Sequence, residues 1–218
     1  MTSVSTDQLI DQLAADARPV QPMPGPALRG WLAVAAIALV AGLAIAALGD
    51  VGQLRQRYAG REAFLALEMA AMLATGVVAI MAAFHAAIPG RSRAWLAAPL
   101  PPFGLWLLLS GAGCFADAVR HGGTRAETGD GVHCLVFILA VGAVVMPFLI
   151  WRLARARPID PLPVALLGGL GAASVSALVL QFFHPFAVTA IDLAMHVVAI
   201  LIVVGTAGLI NRRALAGR

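Results

Sequence analysis

Apolar residues run through this chain in six blocks, at 30–49, 63–88, 95–116, 132–151, 162–183 and 187–210, and the short segments between them carry nearly all the charge. A helix needs roughly 20 apolar residues to cross a hydrocarbon core about 30 Å thick, and each block is about that long. The blocks are continuously apolar, whereas the strands of a transmembrane β-barrel alternate. The pattern predicts an all-α, polytopic integral membrane protein whose six transmembrane helices form one bundle. Ahead of the first block, residues 6–17 (TDQLIDQLAADA) predict a short amphipathic helix with Thr6 as N-cap and Asp7 in the first turn. Leu9, Ile10, Leu13 and Ala17 make one apolar stripe, with Asp7, Asp11 and Asp16 on other faces. A helix this short is marginal in water and needs a surface to fold against. Residues 18–28 (RPVQPMPGPAL) hold four prolines and a glycine, a semi-rigid spacer. Two parts are therefore expected: a docking arm with its spacer over 1–28, and a membrane domain over 29–218.

Within the blocks, Gly168, Ala172 and Ser176 fall at four-residue intervals and form a small-residue face that admits a neighbouring helix closely. Pro147 should kink the fourth span. Pro99, Pro101 and Pro102 mark an irregular approach to the third. No internal repeat of the transporter kind is visible.

Composition agrees: 61% of the 218 residues are hydrophobic and 12% charged, which excludes a soluble domain of this size. The net charge of +4 hints at nucleic acid, but all fifteen basic residues are arginines placed mostly at block ends, where they set topology. No direct nucleic-acid contact is expected. With six spans both termini share a side, and that side holds Arg18, Arg29, Arg91, Arg93, Arg152, Arg155, Arg157, Arg212, Arg213 and Arg218. The other holds Arg55, Arg57, Arg61, Arg120 and Arg125. The excess of arginine places both termini in the cytoplasm. The first 20 residues lack a basic n-region followed by an apolar core, so no cleaved signal peptide is expected.

The residues able to carry chemistry crowd toward one end. Cys114 and Cys134 fall at the outer ends of consecutive spans, flanking loop 117–131. A disulfide is permitted on the oxidising face of a bacterial inner membrane. It would close a loop of about 20 residues and contribute on the order of 3 kcal/mol. Equally, the two are small apolar residues that a core can bury. Glu68, Asp192, His196, His133 and His184 lie toward the same outer end. Ionisable groups in a span are costly in lipid and turn to the bundle interior or to water. With the cysteines they make a candidate S/N/O set in which Cys134, His133, His184 and His196 could hold a soft metal ion. No resident cofactor is expected; such an ion would act as a transient signal. His85 reads as an interfacial residue, and His121 as solvated. No nucleophile elbow, metalloprotease helix, P-loop or dinucleotide fingerprint is present, so no catalytic role is expected. A small inner-membrane transporter or channel is the alternative, but it would distribute polar residues through the midplane.

The arm segment TDQLIDQLAADARPV, followed by a Pro-rich spacer and six spans, resembles the NrsF family, membrane-bound negative regulators of sigma-F-type extracytoplasmic-function (ECF) sigma factors. The similarity extends to Glu68, the turn IPGRSRAW, the segment APLPPFGLW, GAGC and CLVFIL. It implies an anti-sigma factor of the inner membrane that holds an ECF sigma factor through Leu9, Ile10, Leu13 and Asp16. Release on a periplasmic oxidative or heavy-metal signal would pass through Cys114, Cys134 and His184. Where the family pattern has His-Cys-Pro before the last span, this chain reads Phe183-His184-Pro185, with histidine in the cysteine's place. A Cys134/His184 metal site or a Cys114/Cys134 disulfide could substitute for the lost pair.

Overall fold

A computed structural model describes residues 5–17, 22–57, 59–121, 128–183 and 190–216. Its elements are α1 (Thr6–Ala15), α2 (Pro26–Leu48), α3 (Val51–Arg57), α4 (Glu62–Ala86), α5 (Ala94–Ala97), α6 (Leu100–His121), α7 (Thr128–Ala154), α8 (Pro161–Leu180) and α9 (Ala190–Ala216). Among the described residues there is no strand. Five segments are long and apolar enough to cross a membrane: α2, α4, α5 with α6, α7 and α8. In α9 the apolar stretch is shorter, Leu193–Leu209.

The hub is α8. It packs most broadly on α4, then on α9 and α7, while α6 rests on α4 and α9, and α2 leans on α4 at the edge. Small residues make this possible. A methyl placed on Gly171 would lie 2.6 Å from Ile80 Cγ1, and one on Gly169 would lie 2.9 Å from the Val204 Cα. Backbones come this close only where no side chain intervenes. The expected small face is buried at Gly168, Ala172 and Ser176, but the tightest approaches use the glycines beside it. Ser176 Oγ donates to the Ala172 carbonyl one turn back (2.8 Å), and Thr75 Oγ1 does the same to Ala71 (2.7 Å), so both hydroxyls are satisfied inside the core.

Several boundaries differ from the sequence expectation. The N-cap of α1 is Ser5, not Thr6. Its hydroxyl accepts from the Gln8 amide (3.2 Å), while the Gln8 side chain accepts from the Ser5 amide (3.1 Å). This reciprocal box satisfies two donors, which a cap one residue later could not. The helix also stops at Ala15, with Asp16 as C-cap. Pro26 opens α2, earlier than the apolar count suggested, because a proline in the first turn sacrifices no hydrogen bond. The polar segment between the first two apolar blocks contains a helix, α3: Asp50 Oδ1 accepts from the Gln53 amide (2.8 Å), and Leu54 is buried.

Candidate functional site

Two ends of the bundle carry the polar side chains. At the arm end lie the start of α2 and the close of α4 and α7. At the far end lie the close of α6 and the starts of α4, α7 and α9.

At the far end, Glu68 is buried about 9 Å into α4 and accepts a 2.6 Å hydrogen bond from Ser110 Oγ of α6. Trp106, Ser110 and Cys114 follow at four-residue intervals, so they share one face of α6, and all three are buried. The bond pins α4 to α6; interhelical bonds of this kind contribute roughly 0.6–2 kcal/mol. Cys114 is one turn beyond Ser110 on that face. Cys134 is buried in the main core on α7, with Ile138 one turn on. Both cysteines are buried thiols. Their helices are consecutive, yet α6 packs chiefly on α4 and α9. His196 is buried on α9, whereas His133, next to Cys134, is exposed. Adjacent residues on a helix diverge by about 100°, so His133 and Cys134 face different surroundings. His184 and the Asp192 side chain lie outside the described residues. Among the described residues, no three His, Cys, Asp or Glu side chains gather to hold a metal.

The N-terminal helix presents the opposite picture, with none of its described residues buried. Leu9, Ile10 and Leu13 are 50%, 56% and 65% exposed. With Asp16 they sit at relative positions 0, 1, 4 and 7, one helical face, while Asp7 and Asp11 project from the opposite one.

Sequence reasoning missed the chief polar feature of the arm end. Arg29, counted only as a topological charge, is buried in the first turn of α2, and its Nη2 donates to the Arg152 carbonyl in the last turn of α7 (2.9 Å). Its guanidinium lies 5.4 Å from the Phe84 ring. The one available signal was an arginine placed just inside an apolar helix that begins with proline. His85, expected at the interface, stacks on Trp95 with centroids 4.0 Å apart. Ser110 was missed too; its signal was a lone hydroxyl in an apolar run.

The family model described as NrsF, negative regulator of sigma F, matches residues 13–216. No curated protein and no solved structure matches.

Proposed function

Because this chain belongs to the NrsF family, negative regulators of sigma F, we propose that it is a six-span inner-membrane anti-sigma factor with both termini in the cytoplasm. The first turns of the chain sequester an ECF sigma factor, and a periplasmic oxidant or soft metal releases it. The observation that carries this reading is α1: a capped helix whose apolar stripe of Leu9, Ile10 and Leu13 is exposed. Helices of this kind lay their apolar face into a groove of a partner protein. Asp16 extends the stripe by one turn and offers a carboxylate to a basic residue at the rim.

The test is deletion of residues 1–18. The truncated chain should still insert in the membrane, but membranes carrying it should no longer retain the sigma factor, and the dependent genes should switch on. Full retention by the truncated chain would rule out docking through the arm.

Signal reception is assigned to Cys114, Cys134 and His184. Thiolates and imidazoles suit soft metals. Oxidation of both thiols to a disulfide would pass two electrons and two protons to the oxidant. Either event would re-pack helix ends in the bundle, and couplings of 1–3 kcal/mol between sites change affinity by roughly 5–150-fold. Changing both cysteines to serine should fix the response, uninducible or constitutive, without altering sigma binding by the arm. A double mutant that still answers every inducing stress would make the cysteines packing residues only. The same argument requires fusions within 121–130 to report periplasm; a cytoplasmic result there would put both thiols in a reducing compartment and end the sensing proposal.

A further inference from the structure

The start of α2 gathers three arginines with no acid paired to them among the described residues. Arg29 is only 6% exposed; its Nη2 is satisfied by the Arg152 carbonyl, and its Nη1 is buried with no acceptor among the described residues. Arg152 and Arg155 lie near enough to act on it electrostatically. None of the three forms an ion pair with a described residue; Arg155 instead lies over the Trp151 ring, 4.0 Å from its centroid. A buried guanidinium beside two like charges is costly unless an anion joins them.

An apolar groove begins just below this cluster. It occupies about 510 Å³ between α2 and α7, with its floor on α8, and runs from Ala36 and Phe148 past Ala41 and Val141 to Leu48 and Phe183. Phe148 is one turn from Arg152. The reason for the groove is visible in α2, whose buried residues end at Ile37, so its second half stands off the bundle. Twelve residues of helix span about 18 Å, close to the ~15 Å depth of one leaflet. A second groove lies on the α4 flank of α2, but Arg152 and Arg155 stand on the α7 side, which selects the first.

We propose that the Arg29–Arg152–Arg155 cluster binds the phosphate of an anionic phospholipid whose acyl chain lies in the α2–α7 groove. The inference rests on the membrane placement proposed above. Arginine is suited to the headgroup because its planar fork donates to phosphate while retaining charge at any physiological pH. A basic pocket between spans near the cytoplasmic surface is a recurrent way of holding anionic lipid. The lipid would occupy the joint between the arm's spacer and the bundle.

The test is native mass spectrometry of the purified full chain, equilibrated with equal amounts of phosphatidylglycerol and phosphatidylcholine of identical acyl chains. The expected result is a retained phosphatidylglycerol adduct in clear preference. Arg155→Gln, which leaves the buried contacts alone, should lower that preference about five-fold, as should Arg29→Gln, while Arg29→Lys keeps most of it. Ala41→Phe, which fills the groove, should reduce retention with the arginines intact. Deleting residues 1–18 should change nothing; a preference seen only after that deletion would mean that the arm's own acids fill the site. Displacement by millimolar inorganic phosphate, together with indifference to Ala41→Phe, would show a free-anion site and overturn the lipid assignment. Equal retention of both lipids by a chain that inserts normally into bilayers would overturn the site but leave the membrane reading standing; failure to insert would remove both.

Discussion

Leu9→Asp combined with Leu13→Asp should weaken sigma-factor binding by at least about 100-fold. Full burial of a leucine contributes ~1.5–3 kcal/mol, so losing two removes at least ~3 kcal/mol, and each ten-fold in affinity is about 1.4 kcal/mol. The aspartates add the cost of desolvating two carboxylates against an apolar groove. Loss of the cap is not the cause, because Ser5 and Gln8, which form it, are untouched. Asp11→Asn, on the opposite face, supplies the control: surface substitutions outside a contact usually stay within about 0.5 kcal/mol, so binding should hold within two- to three-fold. Titration of labelled sigma factor onto membranes or reconstituted protein reads both. If the double aspartate variant binds like the parent, or Asp11→Asn matches its loss, the docking face has been misassigned.

The second large effect concerns the hub. Gly171→Leu should prevent α4 and α8 from seating, with loss of a monodisperse folded species in detergent. A methyl at position 171 already meets Ile80 Cγ1 at 2.6 Å, the Ile80 amide nitrogen at 3.3 Å and the Gly76 carbonyl oxygen at 3.4 Å. Ile80 is 1% exposed and branched at Cβ, so it has little freedom to swing aside. Overpacking a filled core costs roughly 1–3 kcal/mol per offence and more where backbone is the obstacle. Gly171→Ala should be milder, and partly relieved by Ile80→Ala, which removes the clashing Cγ1; the pair should destabilise less than the sum of the singles. Gly111→Ala, where no atom of the described residues lies within 4 Å of the added methyl, should be neutral or stabilising. Thermal unfolding in one detergent, followed by size exclusion, decides the order. A Gly171→Leu protein as stable as Gly111→Ala would mean that the α4–α8 contact is not close-packed.

Both experiments probe features whose visibility in the sequence was very different. The stripe of α1 could be read because its period is local: Leu9, Ile10 and Leu13 lie within two turns, and whether they share a face depends only on the helix. The cap was misplaced by one residue because Ser5 and Thr6 carry equivalent hydroxyls, and only the reciprocal bond with Gln8 distinguishes them. Five of the apolar blocks were equally legible as helices long and apolar enough to cross a membrane, since composition alone marks them; the sixth is shorter, Leu193–Leu209. Gly171 was not singled out, although Gly168, Ala172 and Ser176 were: small residues crowd α8 on every side, and only the position of α4 decides which of them touches backbone.

The sequence by itself determined the helical class, the long apolar elements and the family. All of these follow from properties that neighbouring residues share along one helix. Tertiary structure alone decided which helices touch. It placed Ser110 against Glu68, set α8 rather than α2 at the hub, seated α6 chiefly on α4 and α9 although the chain runs directly from it to α7, and brought Arg29 to the end of α7 across 123 positions. The physical reason is that an apolar helix matches any other apolar helix about equally well. Partner choice rests on close backbone approach at a few glycines and on the few polar groups that must find each other, and neither is written in the local pattern.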